Sequence, residues 1–240
     1  MNRPTTFEPE LRRFANGEET TAALADMIVS RLARGVSEHG KASFVASGGT
    51  TPGALFDVLA QRDMAWDRVS VTATDERWVP PSDDRSNEKL LRTRLLKARA
   101  AQAHLVPLMA AHESPKDAEK DVDRAVAAMP RPFDVTLLGM GTDGHTASLF
   151  PEAKELATAL DLSSPALVRA ITPPDQARAG MRMSLTLRAI LASRWIVVFI
   201  RGEAKLDAYR KAVAGSDVLE MPIRAVLQQS DTPVEVYWSP

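Results

Sequence analysis

Residues 133–145, with the sequence FDVTLLGMGTDGH, place a short apolar run directly before a glycine-rich loop that ends in a histidine. The run predicts a buried strand, and the glycines predict a tight turn after it. Two further strand candidates, Ser43–Ala46 and Val69–Thr74, also end in polar loops, near Ser47 and Asp75. Because open α/β sheets bind ligands at the carboxyl ends of their strands, the three loops together predict a site at that edge.

Outward from this stretch, short β-branched runs alternate with longer amphipathic segments. The alternation predicts an α/β fold: an open, mostly parallel, doubly wound sheet of Rossmann-like type with helices on both faces. Helices are predicted at Thr20–Glu38, at Gly53–Ala60 with Thr51 as N-cap, from Ser86 to Leu96, from Ser114 to Met129, at Ser184–Leu191 and at Glu203–Ala214. Further strands are predicted at Leu167–Ile171, Trp195–Ile200 and Val234–Trp238. Since 240 residues lie within the size of one hydrophobic core, we expect one domain over residues 1–240.

Composition and charge argue against several classes of protein. Hydrophobic residues make up 45% and charged residues 25% of the chain, so a packed core is expected and disorder is not. The 30 basic residues nearly balance the 31 acidic ones, which leaves a net charge of −1. This balance predicts no bulk attraction to nucleic acid or to an anionic membrane.

The chain has no cysteine, which excludes disulfides, thiol nucleophiles, thiolate zinc sites and cysteine-ligated iron–sulfur clusters. Residues 1–14 contain no apolar signal core. The most apolar run, Trp195–Ile200, is far shorter than the roughly 20 residues that span a bilayer. These features predict a cytoplasmic protein in a reducing compartment, with no membrane partner.

The loop Ser47–Pro52, SGGTTP, follows a predicted strand and precedes a predicted helix. The backbone N–H groups of Gly48 and Gly49, the Thr50 hydroxyl and the helix N-terminus could together bind a phosphate. The alternative is a tight turn that needs glycine for its φ angles alone. A Walker loop is excluded, because its spacer and its Gly-Lys-Ser/Thr ending are absent.

The stretch Gly139–Gly144 formally matches the GxGxxG pattern of dinucleotide-binding sites. Two features argue against a nucleotide there. Pro151 leaves room for only a very short helix after the glycines, and no clear acidic strand end follows about 20 residues later. We therefore expect no nucleotide cofactor.

His145 is the candidate for acid–base chemistry, since it follows a buried strand while the other histidines lie near segment ends. Imidazole accepts a proton near neutral pH, and Asp143 could orient the ring or stabilise its charged form. The alternative is a histidine that only holds the loop by hydrogen bonds. A metal site on these two side chains lacks companion ligands at a recognised spacing.

Three basic residues, Arg77, Arg182 and Lys205, lie next to predicted strands. Arginine supplies paired donors and lysine a point charge, so the three together could bind a substrate phosphate. The alternative for each of them alone is a solvated surface charge. A serine-hydrolase nucleophile elbow is not indicated, because GxSxG is absent.

Taken together, the motifs resemble those of the 6-phosphogluconolactonase family. The segments that carry the resemblance are Ser47–Pro52, Thr74–Pro80, Ser86-Asn87, Leu138–Pro151, Arg182–Thr186 and Gly202–Lys205. The resemblance implies hydrolysis of 6-phosphoglucono-1,5-lactone to 6-phosphogluconate, the second step of the oxidative pentose phosphate pathway. It also implies an α/β fold, a small-molecule substrate and no required cofactor. Separately from the resemblance, we expect no metal and either a monomer or a homodimer.

The resemblance also assigns roles to the residues. By motif, His145 is the general base that activates water, and Asp143 stands beside it as its catalytic partner. The residues implied in substrate and phosphate binding are Gly48, Gly49, Thr50, Asp75, Arg77, Arg182 and Lys205.

Two other functions remain open at this point. Glucosamine-6-phosphate deaminases have a similar glycine loop and the segment Gly-His-Ile-Ala-Phe-Asn-Glu-Pro. In this chain Phe150 stands where that Glu would be, and Thr74–Trp78 stands in place of Asn-Met-Asp-Glu-Tyr, so both departures favour the lactonase. The second alternative is a non-catalytic sugar-phosphate sensor, which the intact His145 loop disfavours.

Overall fold

The computed structural model describes residues 9–175 and 179–240. Its strands are β1 (Glu10–Arg13), β2 (Ala42–Ala46), β3 (Val69–Ala73), β4 (Asp75–Arg77), β5 (His104–Leu105), β6 (Val135–Leu138), β7 (Val168–Ile171), β8 (Arg182–Leu185), β9 (Ile196–Arg201) and β10 (Val234–Ser239). Its helices are α1 (Gly17–His39), α2 (Gly53–Leu59), α3 (Asn87–Leu90), α4 (Pro115–Ala127), α5 (Leu156–Leu160), α6 (Leu187–Leu191), α7 (Glu203–Ala214) and α8 (Arg224–Leu227). A π-helical turn, Leu91–Leu95, continues α3.

The main sheet has seven strands in the order β1-β10-β9-β6-β2-β3-β5, and all of its neighbouring strands are parallel. Every residue of β2 and β6 is buried. A strand that is buried along its whole length has both faces covered, as expected for a parallel sheet with helices on either side. The predicted α/β class with a mostly parallel sheet is therefore confirmed.

A second sheet has three strands in the order β4-β8-β7, and its pairings are antiparallel. The sequence pattern predicts only one of its strands, β7, as the strand at Leu167–Ile171, and does not predict β4 or β8. The helix predicted at Ser184–Leu191 is wrong at its start, because Ser184 and Leu185 belong to β8 and the helix begins only after Thr186. Pairing of β8 with a strand on each side overrides its local helical spacing, since strand formation depends more on context than on propensity.

Local signals mark both ends of α1. The Asn16 side chain accepts the N–H of Glu19 at the start of α1, and Gly40 ends that helix in the left-handed conformation. The predicted cap Thr51 is wrong: Pro52 holds the N-cap position of α2 and no side chain caps it. The chain already turns at Thr50, whose carbonyl accepts the N–H of Gly53, so Thr51 lies inside the turn rather than before it.

The topology brings the loops of interest to one edge. Strands β2, β6 and β9 are neighbours in the parallel sheet, so their carboxyl ends point the same way. Strand β3 runs through Thr74 into β4, which carries the second sheet to the same edge. The chain therefore places the glycine loop, the histidine loop and the Arg77 and Arg182 strands around a common centre.

Candidate active site

A cavity of about 440 Å³ opens at the carboxyl ends of β2, β6 and β9. This edge is where parallel α/β sheets bind their ligands. Predicted site residues from separate motifs line the cavity together: Gly48, Gly49, Thr50, Asp75, Arg77, His145, Arg182 and Lys205. Asp143 is not among the lining residues, but it contacts His145, which is.

His145 and Asp143 form a hydrogen-bonded pair. Oδ1 of Asp143 lies 2.6 Å from Nδ1 of His145 and also accepts the His145 backbone N–H at 3.1 Å. The hydrogen bond from His145 lowers the pKa of Asp143 to about 2. Because Nδ1 is taken up by Asp143, Nε2 is the ring nitrogen left for a ligand or water, as a general base requires.

Gly141 makes this pairing sterically possible. A Cβ atom at position 141 would lie 2.2 Å from Oδ1 of Asp143 and 2.2 Å from Nδ1 of His145. Real Cβ atoms essentially never approach other atoms so closely. Gly141 is thus needed because the acid–base pair packs directly on its backbone.

Arg77 and Arg182 face each other across the antiparallel pair of β4 and β8. The Nε atoms of both are buried and have no hydrogen-bond partner among the described residues. Burial lowers the pKa of Arg182; the Asp75 carboxylate opposes this shift and the Arg77 charge adds to it. Two like charges placed opposite each other repel, and an anion bound between them removes the repulsion.

Lys205, in the first turn of α7, also lines the cavity. Burial lowers the pKa of Lys205, and the charge of Asp143 acts in the opposite direction. Among the residues that the structure describes, Lys205 has no ion pair within 4.0 Å. Its ammonium group is therefore available to a negative charge in the cavity.

Asp75 is mostly buried, and its carboxylate is engaged on several sides. Oδ2 accepts the hydroxyl of Ser148 at 2.6 Å, and Oδ1 accepts that of Thr74 at 3.1 Å. Its negative charge also acts to raise the pKa of Arg182. The carboxylate therefore partly balances the arginine charges and joins the histidine loop to β4.

The glycine loop also lines the cavity. Gly49 has φ +91°, a left-handed conformation that L side chains rarely adopt. A Cβ at Gly48 would lie 2.1 Å from Oδ1 of Asn87, so that amide packs directly on the loop backbone. The close approach of Asn87 thus explains Gly48, and the positive φ angle explains Gly49. Both glycines line the cavity.

Comparison with known proteins points to one family. The family model described as "Glucosamine-6-phosphate isomerases/6-phosphogluconolactonase" matches residues 15–238. The chain belongs to this family. The resemblance that the sequence motifs indicated is therefore confirmed.

Individual members of the family are similar over nearly the whole chain. A 6-phosphogluconolactonase from Rhizobium meliloti is 41% identical over 227 residues, which are 95% of this chain and 97% of the relative. One from Mesorhizobium japonicum is 44% identical over 228 residues, 95% of this chain and 94% of the relative. The crystal structure of a 6-phosphogluconolactonase from Shewanella baltica superimposes with a TM-score of 0.94 at 42% identity, covering 97% of this chain and 98% of that one.

Phe150 occupies the position at which glucosamine-6-phosphate deaminases are expected to differ from the lactonases of the family. Its ring centroid lies 4.6 Å from that of His145, at an interplanar angle of 43°. The His145 ring is therefore held between a carboxylate on one side and an apolar ring on another. No second carboxylate is supplied at position 150.

Other residues that shape this family site were not predicted as site residues. Glu76, which is almost fully buried, accepts the backbone N–H groups of Arg77, Asn87 and Glu88 and the hydroxyl of Ser86. Burial raises the pKa of Glu76, and those backbone hydrogen bonds lower it. The segment Ser86-Asn87 belongs to the motifs noted in the sequence, but its contact with Gly48 depends on the tertiary fold.

Among the described residues, no group of three or more His, Asp or Glu side chains has the arrangement of a metal site. Within the same residues, no helix has the length and apolarity needed to cross a membrane.

The depressed pKa of Asp143 predicts a pH dependence of stability. Its folded pKa of about 2 lies below the ordinary 3.8, so its stabilising contribution is present above about 3.8 and is lost as the pH falls toward 2. Because the side chain is 52% exposed, solvent screening limits this contribution to about 1 kcal/mol. We expect Asp143→Asn to destabilise the protein at about pH 6 and to be nearly neutral at about pH 2.

Denaturant unfolding at both pH values measures this difference, with the exposed Asp207→Asn as a control for the loss of one surface carboxylate. An Asp143→Asn effect that is the same at both pH values would contradict a pH-dependent stabilisation by this carboxylate.

Proposed function

We propose that the chain hydrolyses 6-phosphoglucono-1,5-lactone to 6-phosphogluconate, as the names of its relatives suggest. The observation that carries the proposal is His145, which is hydrogen-bonded to Asp143 and lines the same cavity as Arg77, Arg182 and Lys205. A base beside a cationic pocket suits an anionic substrate that water attacks.

In the proposed reaction, Nε2 of His145 takes a proton from water while the water oxygen bonds to the lactone carbonyl carbon. The carbonyl oxygen becomes an oxyanion, which a nearby cation stabilises. When the carbonyl re-forms, the bond to the ring oxygen breaks and the imidazolium returns its proton to that leaving oxygen. Asp143 accepts from Nδ1 throughout, which fixes the tautomer and stabilises the imidazolium.

The cationic residues support binding of the phosphate. Arg77 and Arg182 carry buried Nε groups without partners among the described residues, and Gly48–Thr50 presents backbone close to the cavity. Binding energy from a phosphate that does not react can orient the lactone toward His145. We therefore propose that these cations form the substrate site. The proposal does not assign each cation separately to the phosphate or to the carbonyl oxygen.

The finer predictions on location and partners rest on composition. We place the protein in the cytoplasm, without nucleic-acid partners, on the basis of its near-zero net charge and cysteine-free sequence. The proposed oligomeric state is a monomer or homodimer.

A coupled assay tests the activity. The lactone is generated in place from glucose-6-phosphate, and 6-phosphogluconate is followed with its dehydrogenase at slightly acidic pH, where spontaneous opening is slower. A protein-dependent rate above the spontaneous one supports the lactonase. Ammonia release from glucosamine-6-phosphate would instead support the deaminase, and binding of 6-phosphogluconate without turnover the sensor.

Arg182→Ala tests the binding role. Loss of charge-assisted hydrogen bonds to a phosphate should weaken 6-phosphogluconate binding by roughly 10- to 100-fold. Arg182→Lys should restore only part of it, because lysine lacks the planar fork. Isothermal titration with the product measures both variants.

The matched control is Arg188→Ala, which removes an exposed arginine of α6 that bonds to the carbonyl of Leu162. This variant should bind product as the wild type does. Unchanged product affinity in Arg182→Ala would remove Arg182 from the anion site.

A further inference from the structure

We propose that Ser148 is a positioning residue, which holds the His145 loop in a strained conformation and fixes it to the second sheet. The proposal rests on the proposed function, in which His145 is the base. Ser148 does not line the cavity, and it acts through the backbone that leads back to His145.

The strain lies at Ala147, two residues after His145. Ala147 has φ +49°, a left-handed conformation that is unfavourable for any residue with a Cβ. Its side chain lines the cavity. Such conformations persist only where the surrounding structure enforces them, and they cluster at functional sites.

Ser148 supplies that enforcement through two hydrogen bonds. Its side chain is fully buried, and its Oγ donates to Oδ2 of Asp75 at 2.6 Å. Its backbone N–H donates to Oγ of Ser184 at 3.2 Å. A hydroxyl–carboxylate bond of this length is charge-assisted and is strengthened by burial.

The two partners of Ser148 are themselves directly opposite each other. Asp75 on β4 is the register partner of Ser184 on β8. The same two strands carry Arg77 and Arg182, which are also register partners. Ser148 therefore ties the histidine loop to the pair of strands that presents both arginines.

The other flank of the loop is anchored to the main sheet. The Thr146 hydroxyl donates to the carbonyl of Gly139, directly after β6, at 2.8 Å. Ala147 thus lies between an anchor on one sheet and an anchor on the other. We infer that its left-handed conformation is what allows both anchors to hold at once, and that it sets the distance from the base to the arginines.

Without the Ser148 side chain, the loop loses its bond to Asp75, and Ala147 can relax toward negative φ. The backbone that carries His145 then moves relative to the substrate site. A displacement of about 1 Å can cost about 10²-fold in rate, because proton transfer and attack need near-contact geometry.

Ser148→Ala should therefore lower kcat by about 10²-fold and change the affinity for 6-phosphogluconate little. Adding Ala147→Gly to the same chain should raise kcat again by about tenfold, since glycine adopts positive φ without the left-handed penalty. Addition of a glycine to a merely destabilised loop would not restore kcat. Ser148→Thr, which keeps the hydroxyl, should retain more kcat than Ser148→Ala.

The matched control is Ser43→Ala. Ser43 is also fully buried and bonded to an aspartate, Asp134, but it lies on β2 outside the cavity. This variant should lose stability while the folded protein keeps its kcat.

An unchanged kcat in Ser148→Ala, or no gain on adding Ala147→Gly, would overturn the proposal while leaving the lactonase activity of the wild type intact. Amide hydrogen exchange gives a readout that does not depend on turnover. The N–H groups of residues 148 and 149 should exchange faster in Ser148→Ala and slower again in the double variant. If the wild type has no lactonase activity, the proposed function fails, and the exchange pattern alone decides whether Ser148 holds the loop.

Discussion

Replacement of His145 by alanine is expected to lower kcat for the lactone by about 10²- to 10⁴-fold, the usual contribution of a positioned general base. The water in the cavity would then lack a group at Nε2 to take its proton. Binding should survive, because Arg77, Arg182 and Lys205 remain in place. The coupled assay measures kcat, and titration with 6-phosphogluconate measures binding.

The protein should also stay folded. The His145 side chain is 33% exposed, and its ring nitrogen bonds to Asp143, which is itself half exposed. Truncation at a partly exposed position removes little packing. External imidazole should restore part of the rate, since the variant would lack a base and keep its binding site.

His104→Ala is the matched control. His104 lies on β5, is exposed, and bonds to the carbonyl of Asp67. This substitution should leave kcat unchanged. A His145→Ala variant with near-normal kcat would remove His145 from the mechanism, and one that loses product affinity together with kcat would assign it to binding instead.

The local sequence was enough to suggest the contact between Asp143 and His145. Asp143 and His145 are two positions apart, at the end of a buried strand, and the contact between them needs only the turn that Gly144 and its neighbours form. Strands β1 and β5 of the main sheet were not predicted, whereas its other five strands were. The apolar runs of those five are continuous, because both faces are buried.

In the second sheet, β7 was predicted, but β4 and β8 were not predictable in this way. β4 has three residues and β8 has four, and neither shows a decisive period of its own. Their pairing sets Arg77 opposite Arg182, two residues far apart in the sequence. The sequence indicated that each arginine lies near a strand. That the two charges face each other depends on the pairing register of β4 and β8, which such short strands specify weakly.

Contacts made by small or buried polar groups were also missed as site features. The glycine pattern around Gly48 and Gly141 suggested tight turns, whereas the structure assigns both glycines to close approach by side chains. Asn87 occupies the space beside Gly48, and the Asp143–His145 pair occupies the space beside Gly141. A missing Cβ shows that space is needed, but not which side chain fills it.

Gly141→Ala is the second substitution with a large expected effect. The new methyl group would lie 2.2 Å from both Oδ1 of Asp143 and Nδ1 of His145, so the pair must separate or move. Gly141 is not among the glycines with positive φ, and the effect is therefore steric rather than conformational. We expect kcat to fall by about 10²-fold or more, since a displaced base loses its alignment.

Product affinity should change much less, because the arginines lie on other strands. Stability should fall by about 1–3 kcal/mol, the usual cost of overpacking. A loss of stability alone could lower the measured activity, so kcat must be expressed per folded molecule at a temperature well below Tm.

Gly35→Ala provides the comparison that separates the two effects. A Cβ at Gly35, within α1, would lie 2.4 Å from Oδ1 of Asp134, so this variant also forces a methyl group against a buried carboxylate. It should lower Tm to a similar degree and leave kcat per folded molecule unchanged. If Gly141→Ala behaves as Gly35→Ala does, the close packing of Asp143 and His145 on Gly141 is a matter of stability and not of catalysis.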